Sequence, residues 1–358
     1  MKNGKTNKSK ARVLFLIISL AFFVCFSSCR SAYYQMEIEV REPAFITFPI
    51  DVKELIVVNN AVEQPNDAGI TRTYKEAPME IYSLQLDSIS WTTAISFMSS
   101  IKEADFFDDV FLHNESVRTD NDWMTGLPLS EEFRHEIFNT QGFDGIVSID
   151  RILFKLDEHV SQNSALTDYI DAKADILLSC SIYLNGRERP LTTFTLSDSV
   201  FFKRSVMSEL IVIFKEIPED LLYGLAYSIG EKLAYSIIPS WITAERTVYV
   251  GIEARMQEAY SYSKTGKWSV AESIWLNEYN KKSKESDKGK TANNIALANE
   301  MQDRLEEALL WAEKSREHFL NSNSSNDSHI NRYISDLQKR IHNSQILNLQ
   351  LLGTGEGN

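Results

Sequence analysis

Cysteine is scarce in this chain, with only Cys25, Cys29 and Cys180 among 358 residues, so no disulfide framework is built from it. Histidine is scarce too. His113, His135, His159, His318, His329 and His342 include no pair four apart on one helix and no HExxH, so the spacing supports no metal site. Neither a P-loop nor a GxGxxG occurs, and no cofactor is expected. Beyond Phe26 there is no second long apolar run, so the remainder reads as a soluble protein. Basic residues are in deficit, 37 against 50 acidic, for a net charge of −13. Such a balance repels phosphate backbones and argues against nucleic acid as a partner.

What is present begins at the N-terminus. Lys2, Lys5, Lys8, Lys10 and Arg12 precede any acid, and Val13–Phe26 follows with only Ser19 polar. A bilayer-crossing helix needs about 20 apolar residues. A shorter run after a basic stretch, ending in Ser27 and Ser28, reads as a signal peptide over residues 1–28. Its end resembles the lipobox of bacterial lipoproteins, although Phe26 stands where leucine is usual. The resemblance implies cleavage before Cys29, acylation of Cys29, and a membrane as partner through the lipid. Cys25, preceded by Phe23 and Val24, falls in the discarded part. The segment RSAYYQ after Cys29 lacks the acidic run associated with surface export, which points to the periplasmic face of the outer membrane. Without the leader the balance is 32 basic to 50 acidic. Nearly all of the excess lies before residue 251: 18 to 35 over residues 29–250, against 14 to 15 over 251–358.

The presumed mature chain is long enough for two domains. Tyr33–Val40 alternates weakly, as a first strand. VKELIVVNN (Val52–Asn60) is a compact apolar strand, and residues 61–80, with Pro65, Gly69 and Pro78, form a loop. Ile89, Thr93, Ile95, Phe97, Met98 and Ile101 predict a helix over Asp87–Glu103. Ser130 is placed to cap another helix, and Gly142 to end it. GFDGIVSIDRILFKLDE and the segment Ala172–Phe202 read as long strands, with a turn at Asn185-Gly186. Leu210–Phe214 reads equally as strand or helix. A helix over Pro218–Ile238 and the strand TAERTVYV complete a mixed α/β domain, 29–250, without strict βα alternation.

From residue 251 the period is helical. Ala259 and Tyr262 precede the turn Thr265-Gly266-Lys267; Trp268, Ala271 and Trp275 follow it. Ala296, Leu305 and Ala308 stand 37 residues after Ala259, Trp268 and Ala271. Small residues let paired helices approach, and aromatics fill around them. The pattern resembles a tetratricopeptide repeat, with the charged stretch Asn280–Lys290 holding the three residues beyond the usual period of about 34. Asn299 and Asp303 stand where the first copy has Tyr262 and Gly266. A further amphipathic helix spans His329–Leu347. The fold class expected is therefore α+β: a mixed α/β domain, then an all-α tetratricopeptide-like helical-hairpin domain over 251–348, with a disordered tail at 349–358.

Chemistry-bearing motifs are weak. AYSIG (Ala226–Gly230) approximates a nucleophile elbow, but Ser228 falls mid-helix and reads as a packing residue. DNDWMTGLPLSE has acids at calcium-loop positions but Thr125 where glycine is required, so it reads as an acidic loop. Phe106, Phe107, Val110 and Phe111 among Asp105, Asp108 and Asp109 read as core contacts at a helix end. No catalytic residues are assigned.

Lipobox, α/β domain and helical repeats together resemble a family of Bacteroidota envelope lipoproteins, through VKELIVVNN, GFDGIVSIDRILF and IPSWITAERTVYVG. More distantly, the α/β part is similar in architecture to periplasmic domains of curli-pore and TolB-type proteins. The resemblance implies a non-catalytic, lipid-anchored interaction or assembly module. A protein partner would lie in the repeat groove, along the first helices of each hairpin, at Arg255, Tyr262, Asn293 and Asn299. Homo-oligomer assembly is a further expectation. The alternative is a ligand-binding or hydrolytic α/β domain with the helices as support.

Overall fold

The structure, a computed structural model, describes residues 33–65, 68–74, 77–78, 88–162, 167–207, 219–322 and 327–352. The leader, Cys29, the ambiguous Leu210–Phe214 and residues 353–358 lie outside them. The strands are β1 (Tyr33–Glu42), β2 (Glu54–Asn59), β3 (Ile70–Tyr74), β4 (Ala77–Pro78), β5 (Asp109–Leu112), β6 (Gly145–Gln162), β7 (Thr167–Leu184), β8 (Thr192–Met207) and β9 (Ser240–Tyr249). The helices are α1 (Ile89–Glu103), α2 (Glu131–His135, continued by a π-helical turn over Glu136–Gln141), α3 (Glu219–Ile237), α4 (Ala254–Lys264), α5 (Trp268–Lys281), α6 (Glu285–Glu300), α7 (Leu305–Asn321) and α8 (Asp327–Leu351). The class is α+β. Two compact units form: residues 41–240 with 345–358, and 1–40 with 241–344. Most of β1 and β9 thus joins the helical unit, where the sequence reading ended the α/β domain at 250. The helical unit accordingly carries a two-stranded ribbon, β1 with β9.

In the α/β unit, β2 lies between β5 and β6 and runs parallel to both. Leu55 to Val58 are buried on both faces, which explains a continuous apolar run rather than an alternating one. The far half of β6 pairs in parallel with β3, while β7 runs antiparallel along all of β6 and β8 along β7. Pairing slips by one residue between Ile149 and Arg151, leaving Asp150 as a bulge. The slip changes which residues face the helices. Val147 and Ile149 meet that core before it; Ile152, Phe154 and Leu156 do so after it.

That core is closed by α1 and α3. Their approach is tight: a Cβ on Gly230 would stand 2.6 Å from the Thr93 carbonyl oxygen. Thr93 Oγ1 donates to the Ala226 carbonyl at 3.1 Å and Ser96 Oγ to that of Tyr227 at 2.7 Å. The AYSIG segment is therefore a helix–helix seam, and Ser228 donates to Asp198 at 3.0 Å. Ile95, placed among the apolar helix positions, points outward and is exposed. On the other sheet face, Ile137, Phe138 and Leu129 cover Ile56, Val58 and Ile146. Ser130 accepts from the Phe133 amide at 3.2 Å as the cap of α2, and Gly142 ends the π turn at φ 82°.

In the helical unit, α4 to α7 form two successive hairpins. Ala259, Ala271, Trp275, Ala296 and Ala308 are fully buried at their contacts. Three main-chain hydrogen bonds of the first turn recur in the second at an offset of 37. Lys267 N–H donates to the Tyr262 carbonyl and Arg304 N–H to that of Asn299, each at 3.0 Å. Thr265 to Tyr262 is matched by Gln302 to Asn299, and Gly266 to Ser263 by Asp303 to Glu300. Gly266 has φ 72° and Asp303 φ 57°, so the left-handed turn survives the change of residue. The charged stretch is not an inserted loop: Glu285–Lys290 forms the first turns of α6. There Gly289 admits the Phe319 ring, which a Cβ would meet at 2.7 Å. The helix α8 runs past the expected tail boundary at 349, because Gln350 is buried and its side-chain amide exchanges hydrogen bonds with the Ala44 main chain at 2.9 and 3.0 Å.

Candidate functional site

Helix α6 is the centre of the helical unit, with Ala292 through Glu300 buried without interruption. A helix buried all round must find partners for its polar side chains. Asn294 finds them on β9, accepting from the Tyr249 amide at 2.8 Å and donating to the Tyr249 carbonyl at 2.6 Å, as a neighbouring strand would. Asn293 donates to the Thr247 carbonyl at 2.7 Å. Glu300 has no exposed side-chain surface and receives Arg246 at 2.9 Å, Arg340 at 2.5 Å and the Tyr333 hydroxyl at 2.8 Å. Arg246 also reaches Asp336 at 3.0 Å. Burial pushes the Tyr333 hydroxyl well above the usual tyrosine range, and the adjoining Glu300 charge adds to it. Burial lowers the pKa of the Arg246 guanidinium, but the hydrogen bond and charge of Glu300, with Tyr333 and Asp336 beside it, raise it on balance.

The residues expected to line a partner groove therefore separate. Asn293 and Asn299 both point inward, Asn293 onto strand β9 and Asn299 onto α5 and the turn before α7. Asn299 accepts from Arg304 at 2.9 Å and donates to Glu272 at 3.2 Å and to the Ile295 carbonyl at 2.8 Å. Arg255 is exposed and paired with Glu258 at 2.7 Å. Tyr262 is half-buried, with the Lys267 ammonium 5.9 Å from its ring centre. Only Arg255 and Tyr262 remain at the surface. A second polar chain joins α5, α6 and α7: Tyr279 hydroxyl, His318 and Glu285, at 2.8 and 2.6 Å. The hydrogen bond to His318 holds Glu285 below the usual carboxylate range, and burial raises Tyr279. Nothing in the spacing of these three announces the contact.

In the α/β unit the polar centre is Asp150. The bulge turns its carboxylate to receive Ser148 at 2.6 Å, Ser181 at 2.5 Å and the Asn60 amide at 3.2 Å. Burial raises its pKa, against those hydrogen bonds. It sits beside the carboxyl end of β2, from which the chain goes first to β3 on the far side of β6 and later to β5 on the opposite side of β2; ligands of open α/β sheets bind at such switch points. Here the loop after β5 fills the place. Asn60 donates to the Leu127 carbonyl at 2.7 Å, Arg151 to that of Met124 at 2.8 Å, and the Leu129 amide to the Tyr183 hydroxyl at 3.3 Å. The same loop holds the calcium-like motif. Arg118 clasps it through both Asp120 oxygens and the Asp122 and Thr125 carbonyls, and this guanidinium brings Asp120 down to about 2. Among the described residues no group of three or more His, Cys, Asp or Glu is placed to hold a metal ion. No helix among them is long and apolar enough to cross a membrane. Cys180 is buried in β7, its thiol pushed well up by burial.

Similar solved structures include a minor lipoprotein from Acinetobacter baumannii, 8% identical with a TM-score of 0.25 over 53% of this chain and 92% of that one. Another is the PelC dodecamer from Paraburkholderia phytofirmans, 10% identical with a TM-score of 0.19 over 57% and 96%. A third is lipoprotein GNA1162 from Neisseria meningitidis, 11% identical with a TM-score of 0.18 over 51% and 99%. At such TM-scores neither fold nor activity carries over. No curated protein matches the chain. Residues 257–339 match the family described as Domain of unknown function (DUF6340). Residues 52–249, more than half of the chain, match the family described as Domain of unknown function (DUF8603), and the chain belongs to that family.

Proposed function

We propose that this chain is a lipid-anchored envelope protein that works without catalysis, as an interaction or assembly module built on tetratricopeptide-like hairpins. The anchor is Cys29, on the periplasmic face of the outer membrane. The observation that carries the reading is the recurrence of three main-chain turn bonds at an offset of 37, Asp303 keeping the left-handed geometry of Gly266. Repeated hairpins stack into extended surfaces suited to protein partners. Because β9 covers Asn293, and Glu272 and Arg304 occupy Asn299, the partner meets the surface around Arg255 and Tyr262 rather than a groove reaching those two asparagines. The alternative, an α/β ligand or hydrolytic site, finds less support, since Asp150 is hydrogen-bonded on its carboxylate and covered by the loop after β5.

A photo-crosslinking residue in place of Tyr262 tests this in cells. One discrete protein adduct is expected, absent when the crosslinker replaces Ser273 on α5. Equal or absent adducts at both positions would remove the partner surface. Cys29→Ser is expected to abolish acylation, read by the mass of the mature protein, and Cys25→Ser to leave it intact. Native mass of the soluble form reports any homo-oligomer.

A further inference from the structure

We infer that the end of the β1–β9 ribbon where the chain enters at Tyr33 is a membrane-docking face, seated on phospholipid headgroups. The inference rests on the reading of Cys29 as the acylated residue. Tyr33 is four residues on from Cys29, at most about 14 Å of extended chain. Whatever surrounds Tyr33 is therefore held at the bilayer surface, and the structure shows what that is.

Tyr33 and Tyr34 are 59% and 49% exposed, and Ile252 is 73% exposed. Tyr33 packs by Tyr249 at 6.4 Å between ring centres, while Tyr34 stacks on Tyr260 of α4 at 5.1 Å with their planes within 8°. Tyrosines that offer an apolar ring and a polar tip suit the interfacial layer. Around them lie cations. The exposed Lys264 stands 4.8 Å from the Tyr260 ring centre. Tyr249 and Ile252 line a hollow of about 280 Å³ together with Lys282, Lys284 and Lys290. Glu253 and Asp287, also on its walls, pair with Lys282 and Lys290, so the balance around this end stays positive in a chain whose net charge is −13. Exposed aromatics ringed by lysines match a headgroup layer carrying phosphate. The acidic remainder is repelled by the same layer, which favours this face over others. On α4, residues 255 and 262 lie within about 20° of each other, and 260 and 264 lie on the opposite side. Docking through Tyr260 and Lys264 therefore turns Arg255 and Tyr262 away from the lipid.

The test uses the acylated protein on vesicles of phosphatidylethanolamine and phosphatidylglycerol. Ile252→Cys carries an environment-sensitive fluorophore, with Leu310→Cys on α7 as the control. Labelling is selective, because Cys29 is acylated and Cys180 buried. Quenching by a lipid-phase quencher is expected to be several-fold stronger at 252 than at 310. Equal quenching in protein that floats with the vesicles and carries its acyl chains would overturn the docking face and leave the anchor standing. An unacylated Cys29, seen by mass, would overturn both. In an unacylated Cys29→Ser chain, Lys264→Gln and Lys284→Gln are each expected to weaken vesicle binding about fivefold. Unchanged binding with both substitutions would count against the face, and an unchanged melting temperature shows that the fold is intact.

Discussion

The acids at the polar centres of the two units, Asp150 and Glu300, are held in opposite ways, although the α/β unit also buries Glu158 against Arg72 at 2.6 Å. Asp150 in the α/β unit is met only by neutral donors, two hydroxyls and an amide, and its pKa rises with burial. Glu300 in the helical unit is met by two guanidinium groups and a phenol. The difference follows from what each acid must join. Asp150 fixes one bulge and the loop above it, where short neutral hydrogen bonds suffice. Glu300 joins β9, α6 and α8, elements far apart in sequence, and long arginine side chains can span that distance. Burial raises the pKa of the acid held by neutral donors, whereas an acid met by guanidinium groups is paired inside the fold, and breaking that pair is costly.

The largest expected effect tests that contrast directly. Glu300→Ala leaves Arg246 and Arg340 without their carboxylate and is expected to cost about 3–5 kcal/mol in urea unfolding. A loss under about 1 kcal/mol would show the network to be peripheral. Next is Asp150→Asn. Asp150 holds its proton more tightly folded than unfolded, so its contribution is full below the ordinary value of 3.8 and is lost as pH rises through the raised folded value. Wild type is therefore expected to gain stability relative to Asp150→Asn as pH falls from about 8 to about 4. A constant difference across that range would mean that burial does not govern this carboxyl. The smallest effect belongs to the paired turns. Gly266→Ala is expected to cost about 1 kcal/mol, and Asp303→Gly to add up to about that much, because both positions are left-handed. Opposite signs in thermal melts support the repeat; equal signs break it.

Local features were legible in the sequence where a residue type has one physical use. Ser130 capped, Gly142 and Gly186 took positive φ, and the Ala259/Ala271 pattern located a hairpin. Even the bulge left a trace, since the apolar alternation Val147, Ile149 resumes out of step at Ile152. Contacts across long separations were not legible. ANNIALANEM reads as an amphipathic helix with a polar side, and nothing local says that β9 lies against that side. As first-helix positions of a hairpin, Asn293 and Asn299 read as partner-facing, and the structure turns them inward, Asn293 onto Thr247 of β9 and Asn299 onto Glu272 and Arg304. The approach of Tyr279, Glu285 and His318 likewise depends on three helices meeting.

By itself the sequence determined the basic-then-apolar N-terminal segment, the sparse chemistry, the strand and helix periods and the 37-residue recurrence, because each is a matter of composition or of recurring local spacing. Only the tertiary structure decided that β1 and β9 leave the α/β unit for the helical one, that the inner side of the hairpins is occupied by the chain's own strand, and that two tyrosines and a set of lysines meet where the chain enters. Those outcomes depend on buried polar groups finding partners more than forty residues away, and no local pattern encodes which partner is reached.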